Sequence, residues 1–124
     1  MTKRVVIIED DHIQSIALKL LLDKSGYLPV AICRTGESAV HTILEEKPDL
    51  IVSDIYLGDD LDGISVINET RKKHISPVVF ITGQSRYEIE PRIENLEKCV
   101  LLGKPITLQE LQKAIHAVAS NESE

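Results

Sequence analysis

The sequence predicts an α/β domain built on a doubly wound, five-stranded parallel sheet. Three observations carry this. Short continuous apolar runs, Val5–Ile8, Leu50–Val52 and Val78–Ile81, stop at charged or hydroxyl residues, as strands buried on both faces do. Stretches with apolar residues at helical spacing lie between them. The two patterns alternate to the end of the chain, and right-handed crossovers turn such an order into a parallel sheet with helices on both faces.

The first strand, Val5–Ile8, is β-branched throughout. The helix after it is expected to turn Ile13, Ile16, Ala17, Leu20 and Leu21 inward, and to end at Ser25-Gly26. Leu28–Ile32 reads as the second strand. Thr35-Gly-Glu-Ser38 opens a helix with Ala39, Val40, Ile43 and Leu44 as its apolar positions, and Lys47-Pro48 closes it. Leu50–Ser53, the third strand, points at Asp54. Gly58-Asp-Asp-Leu-Asp-Gly63 is an exposed loop leading to a helix over 64–73 with Asp62 as its N-cap. Pro77 introduces the fourth strand, Val78–Ile81, which ends at Thr82-Gly83. Residues 85–98 are polar and interrupted by Pro91, so a short or irregular helix is expected, an interior proline costing about 3 kcal/mol. Val100–Leu102 is the last strand. The capping box Thr107-Leu-Gln-Glu110 starts a final helix with Leu108, Leu111, Ile115 and Val118 inward. One domain over 1–120 and a polar tail over 121–124 are expected.

Composition narrows the function classes. With 14 basic against 20 acidic residues the formal charge is −6, which argues against direct nucleic-acid binding, since phosphate neutralisation needs clustered Lys and Arg. No apolar run is long enough to span a membrane. The basic start Met1-Thr-Lys-Arg meets only four apolar residues before Glu9, so no signal peptide is expected. Cys33 and Cys99 are far apart and lack metal-ligand spacing, which fits reduced thiols in a cytoplasmic compartment.

Sites in doubly wound sheets lie beyond the carboxyl ends of the strands. Those ends carry Glu9, Asp10 and Asp11, then Asp54, then Thr82 and Gly83, then Gly103, Lys104 and Pro105. Carboxylates from two strands, a hydroxyl and an ammonium would share one crevice. Each carboxylate pair at ~4 Å costs about 4 kcal/mol at an effective dielectric of about 20, so a cation, a raised pKa or Lys104 must offset it. Hard oxygen ligands with open positions suit Mg2+, held by Asp10 and Asp54. No glycine-rich phosphate loop follows the first strand, which removes nucleotide-cofactor readings. Asp54 is then a carboxylate nucleophile candidate for a phosphoryl group, with Lys104 and Thr82 donating to its oxygens and Gly83 leaving room.

Val5-Val-Ile-Ile-Glu-Asp-Asp, Asp54, Phe80-Ile-Thr-Gly83 and Gly103-Lys-Pro105, each at a strand end and in this order, resemble the receiver domain of two-component response regulators, a flavodoxin-like fold. The resemblance spans residue 4 to about 118. It implies Asp54 as phosphoacceptor, Asp10, Asp54 and the Tyr56 backbone carbonyl as Mg2+ ligands, and Glu9 acting through water. It implies Thr82 as switch hydroxyl, Lys104 as the essential lysine, and a cis bond before Pro105. Tyr56 and Gln84 would flank the phosphoryl group and tune its hydrolysis, the bulk of Tyr56 slowing water entry. The implied donors are a sensor histidine kinase or a histidine phosphotransfer protein, docking near the first helix. The implied output is a downstream protein bound at the face of helix four, strand five and helix five, by a monomer or a phosphorylation-dependent dimer.

Two departures stand out. The position three before the lysine, commonly aromatic, is Leu101, which puts the usual threonine–aromatic coupling in doubt. The loop after Asp54 is one residue longer before Asp62-Gly63 than the commonest form. The Phe80–Gly83 stretch is similar to an atypical receiver subgroup with a flexible fourth helix.

Rival readings attach to the same residues. A phosphorylation-independent pseudo-receiver would need none of the acids. A Mg2+-dependent hydrolase with Asp54 as nucleophile would want a second Asp where Tyr56 stands. Asp11 reads as an N-cap rather than a ligand. His12 lies near the site, where it could tune access, while His41, His74 and His116 are scattered.

Overall fold

The computed structural model describes residues 2–58 and 60–119. Asp59 and the polar tail lie outside these. In chain order the elements are β1 (Lys3–Ile8), α1 (His12–Lys24), β2 (Tyr27–Cys33), α2 (Gly36–Glu46), β3 (Leu50–Asp54), α3 (Gly63–Thr70), β4 (Val78–Thr82), α4 (Arg86–Ile93), β5 (Cys99–Gly103) and α5 (Leu108–Ala119). All neighbouring strands pair in parallel, in the order β2-β1-β3-β4-β5.

Alternation along the strands divides the core in two. Val5, Ile7, Leu50, Val52, Val79 and Ile81 pack with Leu18, Leu22, Leu111 and Val118, which places α1 and α5 on one face. Val6, Ile8, Ile51 and Phe80 pack with Ile43, Ile64, Ile67 and Ile89, which places α2, α3 and α4 on the other. Leu101 belongs to this second core at 5% exposure, an aliphatic anchor of β5.

The predicted caps form. Asp11 Oδ1 accepts from Gln14 N at 2.9 Å, Thr35 Oγ1 from Ser38 N at 3.1 Å, and Asp62 Oδ1 from Ser65 N at 2.9 Å. Thr107 and Glu110 bond reciprocally, at 2.9 and 3.1 Å.

Two expectations need correction. Helix α1 is rotated from the predicted face: Ser15, Leu18 and Leu22 are buried, Leu21 is partly buried, Ala17 is exposed, and Ile13, Ile16 and Leu20 are exposed at 79%, 47% and 57%. At about 100° per residue, 13, 16 and 20 fall on the side opposite 15, 18 and 22, so both sides offered an apolar stripe. Asp11 capping α1 and Arg34 Nη1 reaching Ser15 Oγ at 3.2 Å are the contacts that accompany the buried side. Helix α3 stops at Thr70 rather than 73, and a turn follows in which the Arg71 guanidinium donates to the carbonyls of Ser76 and Lys98 at 3.0 and 3.1 Å.

Candidate functional site

The carboxyl ends of β1, β3, β4 and β5 meet at one edge of the sheet. Glu9, Asp10 and Asp54 each present a carboxylate oxygen, and these lie within 4.8 Å of one another. Glu9 is 1% exposed and Asp54 7%, whereas Asp10 opens to solvent. No histidine or cysteine joins such a group among the described residues.

Asp54 is held from both sides. Its Oδ1 accepts from Ile55 N at 2.8 Å, and its Oδ2 meets Lys104 Nζ at 3.1 Å. Gly63 closes over its backbone: a Cβ there would stand 2.3 Å from Asp54 O and 2.6 Å from Ser53 Oγ, so only glycine lets α3 start here. The loop between them passes Asp10 at Gly58, whose φ of +76° favours glycine.

Lys104 follows β5, with its peptide bond to Pro105 in cis as expected. Its ammonium also stands 3.6 Å from Glu9 Oε1 as an ion pair and donates to Gln14 Oε1 at 2.5 Å. Thr82, 1% exposed, accepts from Gln84 N through its Oγ1 at 2.9 Å, which leaves its own proton to donate. A Cβ at Gly83 would meet only Lys104 Cδ, at 3.9 Å, so there is space at that edge. Tyr56 is 43% exposed at the mouth.

The site is short of positive charge. Glu9 Oε2 accepts from Asp11 N at 3.1 Å, but Oε1, fully buried, has no hydrogen-bond partner. Burial first, then the Asp54 charge and the Asp10 contact, push the Glu9 carboxyl up to about 7 against the opposing pull of Asp11 N–H and Lys104. An orphaned buried carboxylate oxygen beside two further carboxylates, all hard donors, fits a divalent cation that takes oxygen ligands.

Glu9, Asp10, Asp54, Thr82, Gly83 and Lys104 therefore sit around one crevice, while Asp11 caps α1 instead of joining it. Two neighbours were not predicted. Gln14 braces Lys104 from α1. Arg34, following β2, donates to Glu9 O at 3.3 Å and bonds His12 Nδ1 at 3.0 Å, so it steadies the loop that presents the acids. The strand-end rule, extended to β2, points to Arg34; an amide on an exposed helix turn gives no such signal for Gln14.

Comparison with known proteins agrees with this geometry. Residues 5–116 match the family described as response regulator receiver domain. The chain is 30% identical over 118 residues to the transcriptional regulatory protein PdtaR of Mycobacterium tuberculosis, covering 95% of this chain and 57% of that one. It is 32% identical over 106 residues to the phyllosphere-induced regulator PhyR of Methylorubrum extorquens, covering 85% and 39%. The chain thus spans little more than half, or less, of these relatives. The solution structure of the PhyR receiver domain from Erythrobacter litoralis superposes with a TM-score of 0.81 at 27% identity, over 94% of this chain and 89% of that one.

Proposed function

This chain belongs to the response regulator receiver family and is a receiver switch, and on that premise we propose that Asp54 is its phosphoacceptor. The observation that supports this is Asp54 itself, fixed by Ile55 N–H and Lys104 at a strand end amid two further carboxylates. An Asp54 oxygen attacks phosphorus in line; the P–O bond forms, the P–N bond to the donor histidine breaks, and the imidazole leaves with the electron pair. Lys104 donates to a phosphoryl oxygen, and Thr82, its hydroxyl proton unused by Gln84, donates to another.

Asp10, Asp54 and the Tyr56 carbonyl would hold Mg2+, with Glu9 acting through water. When bound, Mg2+ would offset the charge of the acids and of the incoming phosphoryl oxygens. Tyr56 and Gln84 would screen the phosphoryl group from water, so Tyr56→Ala should shorten the life of the phosphorylated form.

The donor is a histidine kinase or histidine phosphotransfer protein, docking at α1. The exposed Ile13, Ile16 and Leu20 support this, as does the groove of about 480 Å³ between α1 and the segment that follows β5, lined by Ala17, Leu18, Leu21, Pro105 and Ile106 and reaching Lys104. Added charge of about −1.5 to −2 then reshapes the face of α4, β5 and α5 for a downstream protein. No described helix is long and apolar enough to cross a membrane. The experiment is phosphorylation by acetyl phosphate with and without Mg2+. An adduct that needs Mg2+ supports the switch, no adduct favours the pseudo-receiver, and rapid turnover of phosphomonoesters favours the hydrolase.

A further inference from the structure

Helix α4 is loosely seated: of its eight residues only Ile89 is buried, and Pro91 interrupts it. Two arginines fasten it. Arg86 Nη1 donates to the Leu101 carbonyl of β5 at 3.2 Å. At the other end Arg92 makes a two-pronged bond to Asp62, Nη1 to Oδ2 at 2.7 Å and Nη2 to Oδ1 at 3.1 Å. Asp62 is also the N-cap of α3, so its carboxylate is already aimed and ordered before Arg92 meets it.

We propose that Arg92 is a positioning residue whose clasp on Asp62 ties α4 to the loop between Asp54 and α3, and that opening this clasp carries the state of Asp54 to α4. The inference rests on Asp54 being the phosphoacceptor. The loop touches the site at both ends. It begins at Asp54, passes Asp10 at Gly58, and closes where Gly63 N donates to Ile55 O at 2.7 Å. Tyr56, 43% exposed at the mouth of the site, belongs to the same loop between β3 and α3 as Asp62. The pairing with Asp62 pushes the Arg92 guanidinium up and, against burial, holds the Asp62 carboxyl below its usual value. Leu101, an aliphatic side chain in the core, has no hydroxyl or ring to transmit a shift through β5. A partly exposed ion pair on a thinly packed helix is weak enough to yield when a phosphoryl group moves the loop.

The full chain tests this through Asp62→Asn, Arg92→Gln and the double variant. Asn caps a helix as well as Asp, so α3 amides should keep wild-type protection in Asp62→Asn. Without phosphate, hydrogen exchange at the Ile89 and Glu90 amides should rise by about two- to fivefold in each single variant and no further in the double. Reciprocity then requires both single variants to bind beryllofluoride with Mg2+, a phosphoryl mimic, about two- to fivefold more tightly. Unchanged exchange, or additive effects in the double, overturns the clasp. Faster exchange with unchanged mimic affinity overturns the coupling. Absence of mimic binding to the wild type would defeat the phosphoacceptor reading and the coupling together, while the exchange data would still report the clasp.

Discussion

Lys104 Nζ lies 3.1 Å from Asp54 Oδ2, a contact that joins β5 to β3 across 50 residues of sequence. The same ammonium stands 3.6 Å from Glu9 Oε1, so one cation bridges carboxylates delivered by two strands. Its side chain is 26% exposed, enough shielding for the charge to matter. Lys104→Met should therefore destabilise the metal-free chain by about 1–3 kcal/mol at neutral pH, because it leaves two buried carboxylates facing each other. Urea denaturation checks this, and Mg2+ should restore part of the loss.

Glu9 makes stability fall as pH rises. Its folded value of about 7 exceeds the ordinary 4.5, so the folded chain holds the proton more tightly than the unfolded one. Its contribution is full below pH 4.5, is lost between 4.5 and about 7, and amounts to on the order of 3 kcal/mol without metal. Glu9→Gln should flatten this slope in chemical denaturation at a series of pH values, and raise the stability of the metal-free chain at pH 8. It should also weaken the stabilisation given by Mg2+.

Asp11→Ala separates a cap from a ligand. Losing the bond to Gln14 N should cost about 1 kcal/mol. The backbone N–H that serves Glu9 Oε2 remains, so the Mg2+ dependence of the melting temperature should be unchanged. A lost Mg2+ response would place Asp11 among the ligands.

Gly63→Ala should destabilise by about 1–3 kcal/mol or more, because its methyl would meet backbone and a buried hydroxyl rather than a flexible side chain. A thermal melt near that of the wild type would contradict the close approach of α3 to Asp54.

Much of this arrangement is legible from the sequence where its causes are local. The caps at Asp11, Thr35, Asp62 and Thr107 follow from one side chain bonding an amide a few residues on, and the strands show as apolar runs buried on both faces. Strand ends converge by topology, so Glu9, Asp10, Asp54, Thr82 and Lys104 could be named before any coordinates. The rotation of α1 could not, because Ile13, Ile16 and Leu20 match the helical period as well as the buried Leu18 and Leu22 do. Nor could the clasp between Asp62 and Arg92, which are 30 residues apart with nothing in either segment to mark a partner.

The most direct measurement is intact-protein mass spectrometry after incubation with acetyl phosphate, followed by borohydride trapping to locate the acyl phosphate. A single phosphoryl adduct on Asp54 is expected, dependent on Mg2+ and absent from Asp54→Asn. An adduct on another residue, or one that persists in Asp54→Asn or without any divalent cation, would contradict the account.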